Sequence, residues 1–178
     1  MKKIFIGLLL TVLALQVVVA QQSKVEISFD FTRLFGRASN QFAIWIEDTN
    51  GQYVKTLYAT RWTARGGWRR RPTSIPIWVN RSSLSELTRA QVDTISGPTP
   101  RSSPLVFTWD GTDRNGVIVP SGEYVIYLEG TLRWENQVLF SAPIHLGHGY
   151  SNPQVKVEFT GDAGRDRVMI ENVRVIVR

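Results

Sequence analysis

Short stretches in which apolar and polar residues alternate recur along the chain, and they constrain its fold more than any other feature. Residues 25–31 are the clearest example, with apolar side chains at every second position. This period places all the apolar side chains on one face of a β-strand. Further β-rich stretches are residues 42–47, 53–60, 105–109, 123–133, 137–146 and 155–159. Many short strands with almost no helical periodicity predict an all-β fold, an antiparallel β-sandwich.

Turn residues and breaks in the alternation refine this prediction. The pair Asn50-Gly51 separates two strands, and Asn and Gly readily take positive φ at both central positions of a tight turn, so we predict a hairpin there. In the last stretch the apolar residues change parity between residues 170 and 173, which predicts a β-bulge near Glu171 and Asn172. Residues 123–133 and 137–146 are apolar at nearly every central position, which predicts burial on both faces.

The N-terminus has the pattern of an export signal. Lys2 and Lys3 precede an apolar run over residues 4–19, which ends in small residues at Ala20. The alternative is a retained membrane anchor. That would need about 20 consecutive apolar residues, and this run is shorter and contains Gln16. We therefore predict a signal peptide over residues 1–20, a periplasmic or secreted location, and no membrane span after cleavage.

Composition limits the remaining chain, residues 21–178, to a few classes of protein. Its length is that of a single domain, and the absence of cysteine excludes both disulfides and a lipid anchor on an N-terminal cysteine. The formal net charge falls from +6 to +4 when Lys2 and Lys3 are removed. Such a small excess does not indicate a nucleic-acid partner, which export also disfavours.

Two stretches resemble a known module. Residues 48–57 follow the pattern D-x-x-G-x-x-V-x-x-L, and residues 109–124 follow W-D-G-x-D-x-x-G-x-x-x-P-x-G-x-Y. Both patterns are similar to the Ig-like module of the flagellar hook-capping protein, which implies an Ig-like sandwich. The full chain resembles a family of predicted periplasmic proteins of unknown function. The resemblance implies a fold, whereas Ig-like sandwiches serve many unrelated functions.

Within the second pattern, Asp110, Asp113 and Asn115 suggest two interpretations. Calcium loops place oxygen ligands at alternating positions, but here the spacing is three and then two. We therefore predict that these side chains cap the N–H groups of turns. Trp109 and Tyr124 are expected to fill the core between the sheets.

The chain departs from the module at residues 61–104, which replace a short connection and which we call the insert. Its first part is unusually rich in arginine and tryptophan. Guanidinium groups bind phosphate or carboxylate, and indole rings stack on flat ligands. We predict an anion-binding or partner-binding surface formed by Arg61, Arg65, Trp68, Arg69, Arg70 and Arg71. The alternative is that Trp62, Trp68 and Trp78 pack onto the sandwich while the arginines are merely solvated.

The second part of the insert contains one predicted helix and one motif. Ser83 and Glu86 have the spacing of a capping box, which predicts a short helix over Ser83 to Gln91. Residues 93–99 resemble the motif D-x-x-[ST]-G-A-T, at which a periplasmic flavin transferase attaches FMN to threonine through a phosphoester. The motif occurs in membrane quinone reductases and related electron-transfer proteins.

The resemblance implies a role for each matching residue. Thr99 would be the FMN acceptor, Asp93 and Ser96 recognition residues, and Gly97 the residue that allows close approach. Pro98 stands where the motif has alanine, and proline fixes φ and removes an N–H group. The alternative is a loop of small residues that ends the helix.

Catalytic patterns are scarce. His145 and His148 are the only histidines, and no metalloprotease helix, G-x-S-x-G elbow, P-loop or dinucleotide fingerprint is present. We predict a non-catalytic protein without a metal site or cofactor, a binding or accessory protein of the cell envelope with an unknown envelope protein or anionic ligand as partner. The first alternative is an electron-transfer protein with FMN on Thr99. The second, a surface or flagellar assembly protein, is disfavoured by the signal peptide, because hook caps travel through the flagellar channel.

Overall fold

The computed structural model describes residues 23–34, 38–101, 103–134, 136–162 and 169–178, so the predicted signal peptide lies outside the described residues. Its strands are β1 (Val25–Phe31), β2 (Ala38–Asp48), β3 (Tyr53–Thr60), β4 (Ser96–Gly97), β5 (Ser103–Trp109), β6 (Gly122–Arg133), β7 (Asn136–Leu146), β8 (Lys156–Thr160) and β9 (Ile170–Val177). The predicted all-β class is confirmed.

The strands form two sheets with a shared core. One sheet has the order β5-β1-β9 and the other β4-β3-β2-β6-β7-β8. Neighbouring strands are antiparallel, except that β3 and β4 are parallel. Along β1 buried and half-buried residues alternate, as its sequence predicts. Trp109 is fully buried and meets Tyr124 edge to face, with ring centroids 5.3 Å apart, which confirms both as core residues.

The β2–β3 hairpin turns at Asp48 to Gln52. Oδ1 of Asp48 accepts the N–H groups of Asn50 and Gln52, both at 2.8 Å. The predicted hairpin is confirmed, but the predicted turn type is wrong. Gly51 has a φ of 73°, whereas Asn50 stays out of the positive-φ region. The aspartate caps the turn, so a single left-handed residue is enough to reverse the chain.

The turn after β5 repeats this geometry. Oδ1 of Asp113 accepts the N–H groups of Asn115 and Val117 at 2.8 and 2.9 Å, while Asp110 accepts both the N–H and the hydroxyl of Thr112. These hydrogen bonds lower the pKa of both carboxyl groups, chiefly through Thr112 for Asp110 and through Val117 for Asp113. The two carboxylates thus serve as turn caps, as predicted, whereas the Asn115 side chain instead donates to Oδ2 of Asp113 at 3.4 Å.

The predicted bulge near Glu171 and Asn172 is also confirmed. The pairing of β1 with β9 shifts register between Ser28 and Asp30, and Asn172 has a φ of 53°. The Asn172 side chain donates to Oδ2 of Asp30 at 2.7 Å. Asparagine tolerates the left-handed conformation that a bulge of this kind requires.

The predicted burial of β6 and β7 on both faces holds only in part. Residues 128–132 of β6 are buried on both faces, but β7 is only partly so, with exposed and half-buried residues between buried ones. Strand β8 has the alternation of a half-buried strand, yet all five of its residues are exposed. The six-stranded sheet has more strands than the three-stranded sheet that faces it, so no described strand of the smaller sheet covers its edge at β8.

The insert forms a third layer on the outer face of the six-stranded sheet. Its helical segments are a π-helical turn at Thr63–Gly67, α1 (Trp68–Arg70), α2 (Pro76–Arg81), a 3₁₀ turn at Leu84–Glu86, and α3 (Arg89–Ile95). A second hydrophobic cluster joins this layer to the sheet and contains Ala43, Trp45, Ala59, Ala64, Ile75, Trp78, Leu84 and Val92. One helix was predicted, and the described insert contains more.

The predicted helix over Ser83 to Gln91 is wrong in its boundaries. Ser83 has a φ of 49° and its side chain caps nothing. The capping box instead joins Thr88 and Gln91, at the start of α3. Thr88 to Gln91 has the same [S/T]-x-x-[E/Q] spacing as Ser83 to Glu86, so the pattern alone does not distinguish them. Leu84, within the predicted segment, is buried.

Buried polar groups attach the insert to β6. Glu129 is fully buried, and its two carboxylate oxygens accept the N–H groups of Ile77 and Trp78 at the start of α2, at 3.1 and 2.7 Å. Thr131 accepts the N–H of Ile75 at 2.7 Å. Burial raises the pKa of Glu129 to about 7, although the two N–H groups oppose this effect. The insert is therefore a layer fixed by directional bonds and not a loose loop.

Candidate anion-binding pocket

The parallel pair of β3 and β4 explains how two distant parts of the insert meet. Ala59 pairs with Ser96, and Thr60 with Gly97. Parallel strands end at the same edge of a sheet, so the residues that follow each strand are neighbours. Arg61 and Trp62 follow β3, whereas Pro98 and Thr99 follow β4. The sequence did not predict β4, which is only two residues long.

These residues line one pocket of about 510 Å³, together with the start of the helical layer. Its lining residues are Arg61, Trp62, Arg65, Gly66, Gly67, Arg70, Pro98 and Thr99. Three of the predicted anion-binding arginines and the predicted FMN acceptor therefore share a pocket. The two sets of residues were identified from unrelated patterns.

The pocket carries a net positive charge. Nε of Arg65 lies 2.7 Å from Oδ1 of Asp93, which neutralises this arginine in part. That hydrogen bond is the main reason why the pKa of Asp93 lies below its ordinary value, with further lowering from the charges of Arg65, Arg89 and Arg61. Arg61 and Arg70 are exposed and make no ion pair with any described residue. Asp93 thus lies beside the pocket and orients Arg65.

The loop that holds Thr99 is fixed on the aromatic core. The hydroxyl of Tyr58 donates to the carbonyl oxygen of Pro98 at 2.5 Å. A Cβ atom at Gly97 would lie 2.6 Å from the Tyr58 ring, so only glycine fits at this position. Burial raises the pKa of Tyr58. The close approach predicted for Gly97 is therefore an approach to Tyr58, and it places the half-buried Thr99 at the pocket.

Ser96 is buried, and its hydroxyl has no hydrogen-bond partner among the described residues. It lies in β4 and does not line the pocket. Of the four residues in the flavin-attachment motif, the structure brings only Thr99 to the pocket surface.

The other predicted residues lie outside this pocket. Arg69 stacks over the ring of Trp68 at 4.6 Å, and both line a neighbouring pocket of about 360 Å³ that shares Arg65 and Gly66 with the first. The guanidinium of Arg71 lies 4.9 Å from the ring of Trp134.

The structure places the insert tryptophans in different environments. Trp78 is fully buried against the sheet, as the alternative to a binding surface required. Trp62 is 45% exposed at the pocket. The predicted binding surface did not include Trp62. Its position directly after Arg61 in the sequence could have indicated that it lies at the pocket.

The two histidine side chains lie next to each other. Their ring centroids are 3.7 Å apart, and Nδ1 of His145 lies 2.9 Å from the carbonyl oxygen of Leu146. Within the part of the chain that the structure describes, no group of three or more histidine or acidic side chains is placed to hold a metal ion.

Comparison with known proteins identifies a family. Residues 22–165 fit the model of a family described as "Predicted periplasmic protein (DUF2271)", and this range includes the whole insert. No curated protein and no solved structure matches the chain. None of the helices in the described residues has the length and apolar character of a membrane span. The predicted periplasmic location agrees with the family and is confirmed.

Proposed function

The chain belongs to this family of periplasmic proteins, and on that premise we propose that it is a non-catalytic binding protein of the cell envelope. Its ligand is an anion, held in the pocket of Arg61, Trp62, Arg65, Arg70 and Thr99. The observation that carries the proposal is the convergence of three arginines and an exposed indole on one pocket of about 510 Å³.

The charge of the pocket indicates the kind of anion. Because Arg65 is paired with Asp93, the charges of Arg61 and Arg70 give the pocket a net charge of +2. A phosphate monoester carries about −1.5 to −2 at pH 7 and therefore matches this charge. Guanidinium groups bind phosphate oxygens through paired N–H donors. Trp62 adds a flat apolar surface, which favours a phosphate ester with a planar group attached.

Removing one of the unpaired arginines tests this site. We expect Arg61→Ala and Arg70→Ala each to weaken the binding of free FMN by about tenfold or more, because hydrogen bonds to charged groups contribute about 1.5–3 kcal/mol. The measurement is a titration followed by quenching of FMN fluorescence. Arg133→Ala, an exposed arginine at the end of β6, is the matched control and should bind as the wild type. Equal affinity in all four proteins would show that the arginines are only solvated.

A second candidate function has its own supporting observation. Thr99, the acceptor implied by the flavin-attachment motif, lines the same pocket as Arg61 and Arg70. A phosphoester at its hydroxyl would leave the FMN phosphate beside both guanidinium groups, and Trp62 offers a surface for the flavin ring. FMN attached there would give the protein a redox group for electron transfer. The residues at the pocket therefore fit this cofactor.

Mass spectrometry of the intact protein tests the second candidate. After co-expression with a periplasmic flavin transferase, we expect the mass to rise by that of FMN less one water. Thr99→Ser should keep the addition, because a hydroxyl remains, and Thr99→Ala should lose it. Thr94→Ala removes an exposed hydroxyl in the same motif, one that donates to Gln91, and should leave the addition unchanged. An unmodified wild-type mass would refute this candidate and leave the anion-binding proposal standing.

The finer assignment of the fold is also a proposal. We propose that residues 21–178 form a single Ig-like domain similar to the hook-capping module. Two observations support it: the matching aspartate-capped turns at Asp48 and Asp113, and the buried pair of Trp109 and Tyr124. The function proposed above does not depend on this similarity.

A further inference from the structure

Strand β8 has an edge that no described strand covers. It lies at the end of the six-stranded sheet and pairs on one side only, with β7. All five of its residues are exposed. An edge strand presents unpaired N–H and C=O groups along its length, and these groups pair readily with another strand.

The two faces of β8 differ in chemistry. Val157 lies opposite Phe140 of β7, and Phe159 opposite Val138, so both point to the side of the main core. They nevertheless remain 46% and 38% exposed. Lys156 and Glu158 occupy the opposite face and are exposed as well. The edge therefore combines an uncovered apolar strip with one positive and one negative charge.

We propose that β8 is the interface of a homodimer, in which the β8 strands of two copies pair antiparallel about a two-fold axis at Val157. In this register Lys156 of each copy lies opposite Glu158 of the other, so both charge pairs are complementary. Val155 lies opposite Phe159, and the two Val157 residues meet at the axis. The two sheets join into one, and the apolar strips of the two copies become neighbours.

The charges select both the partner and the register. Lysine on an edge strand ordinarily discourages pairing. In the proposed register, however, Lys156 lies opposite Glu158 of the other copy, which supplies its counter-charge. A register centred on Glu158 would instead place two carboxylates directly opposite each other, which is destabilising. A second copy of the chain thus satisfies the exposed backbone, the apolar strip and both charges together.

Charge reversal tests this interface. By sedimentation equilibrium we expect the wild-type exported chain to have twice the monomer mass. Lys156→Glu and Glu158→Lys should each weaken the dimer by about tenfold or more, because two attractive cross-strand pairs become repulsive. An equimolar mixture of the two variants should form a heterodimer, and the double variant should recover the homodimer. Glu123→Lys reverses the charge of an exposed residue on β6 and should leave the dimer intact.

A cross-link provides a second readout with a milder substitution. The chain has no cysteine, so Val157→Cys introduces a single thiol that meets its copy at the two-fold axis. We expect this variant to form a disulfide-linked dimer on mild oxidation, and Val106→Cys, an exposed valine on β5, to remain largely monomeric. A wild-type monomer at all concentrations, or a dimer that withstands both charge reversals, would overturn the proposal.

Discussion

Trp78→Ala is expected to lower the free energy of unfolding by about 3–5 kcal/mol, the range for removing a large aromatic side chain from a core. Trp78 is fully buried between the insert and the six-stranded sheet. Its indole N–H donates to Oγ1 of Thr56 at 2.8 Å, and its backbone N–H donates to Glu129. The substitution would therefore leave a cavity and remove a buried hydrogen bond in the layer that holds the pocket.

Urea-induced unfolding, followed by circular dichroism, measures this effect. Trp62→Ala is the matched control, because it removes the same side chain from an exposed position in the same insert. We expect it to change stability by less than about 0.5 kcal/mol. No loss in Trp78→Ala, or a loss no larger than that in Trp62→Ala, would contradict the packing of the insert on the sandwich through Trp78.

The stability of the wild type is expected to fall by about 3 kcal/mol as the pH rises from 4.5 to above 7, through the titration of Glu129 alone. Burial raises the pKa of this carboxyl from 4.5 to about 7 in the folded protein. Between these values the folded state binds a proton that the unfolded state has released. The stabilisation is therefore fully present below pH 4.5 and is lost as the pH rises through 7.

Glu129→Gln isolates this contribution, because the amide has nearly the same shape and does not titrate. We expect the stability of the variant, measured by urea unfolding at several pH values, to lack this fall. Glu123→Gln, an exposed carboxyl on the same strand, should keep the wild-type profile. A Glu129→Gln protein with the full pH dependence of the wild type would contradict the attachment of α2 to a buried carboxyl.

The strands and turns of the sandwich were predictable from local patterns. Period-two alternation locates β1, and the parity change locates the bulge at Asn172. These features depend on neighbouring residues, which the sequence shows directly. Burial at the edge depends instead on the width of the opposite sheet, and the alternation in β8 does not reveal that Val157 lacks cover.

The candidate site was predictable in its residues but not in its assembly. Arginine and tryptophan content indicated Arg61 and Arg70, and a separate motif indicated Thr99. Their meeting depends on the two-residue strand β4 and its parallel pairing with β3, which no periodicity reveals. The contact of Gly97 with Tyr58 joins residues about 40 positions apart in the sequence, and it too appears only in the folded chain.

The affinity of the wild type for FMN compared with riboflavin tests the central claim most directly. The two ligands share the flavin ring and the ribityl chain, and only FMN carries the phosphate. If Arg61, Arg65 and Arg70 hold an anion, FMN should bind at least about tenfold more tightly, with a preference that shrinks at high salt and is lost in the Arg61→Ala/Arg70→Ala variant. Equal affinities for the two flavins, or a preference that this variant retains, would contradict the account.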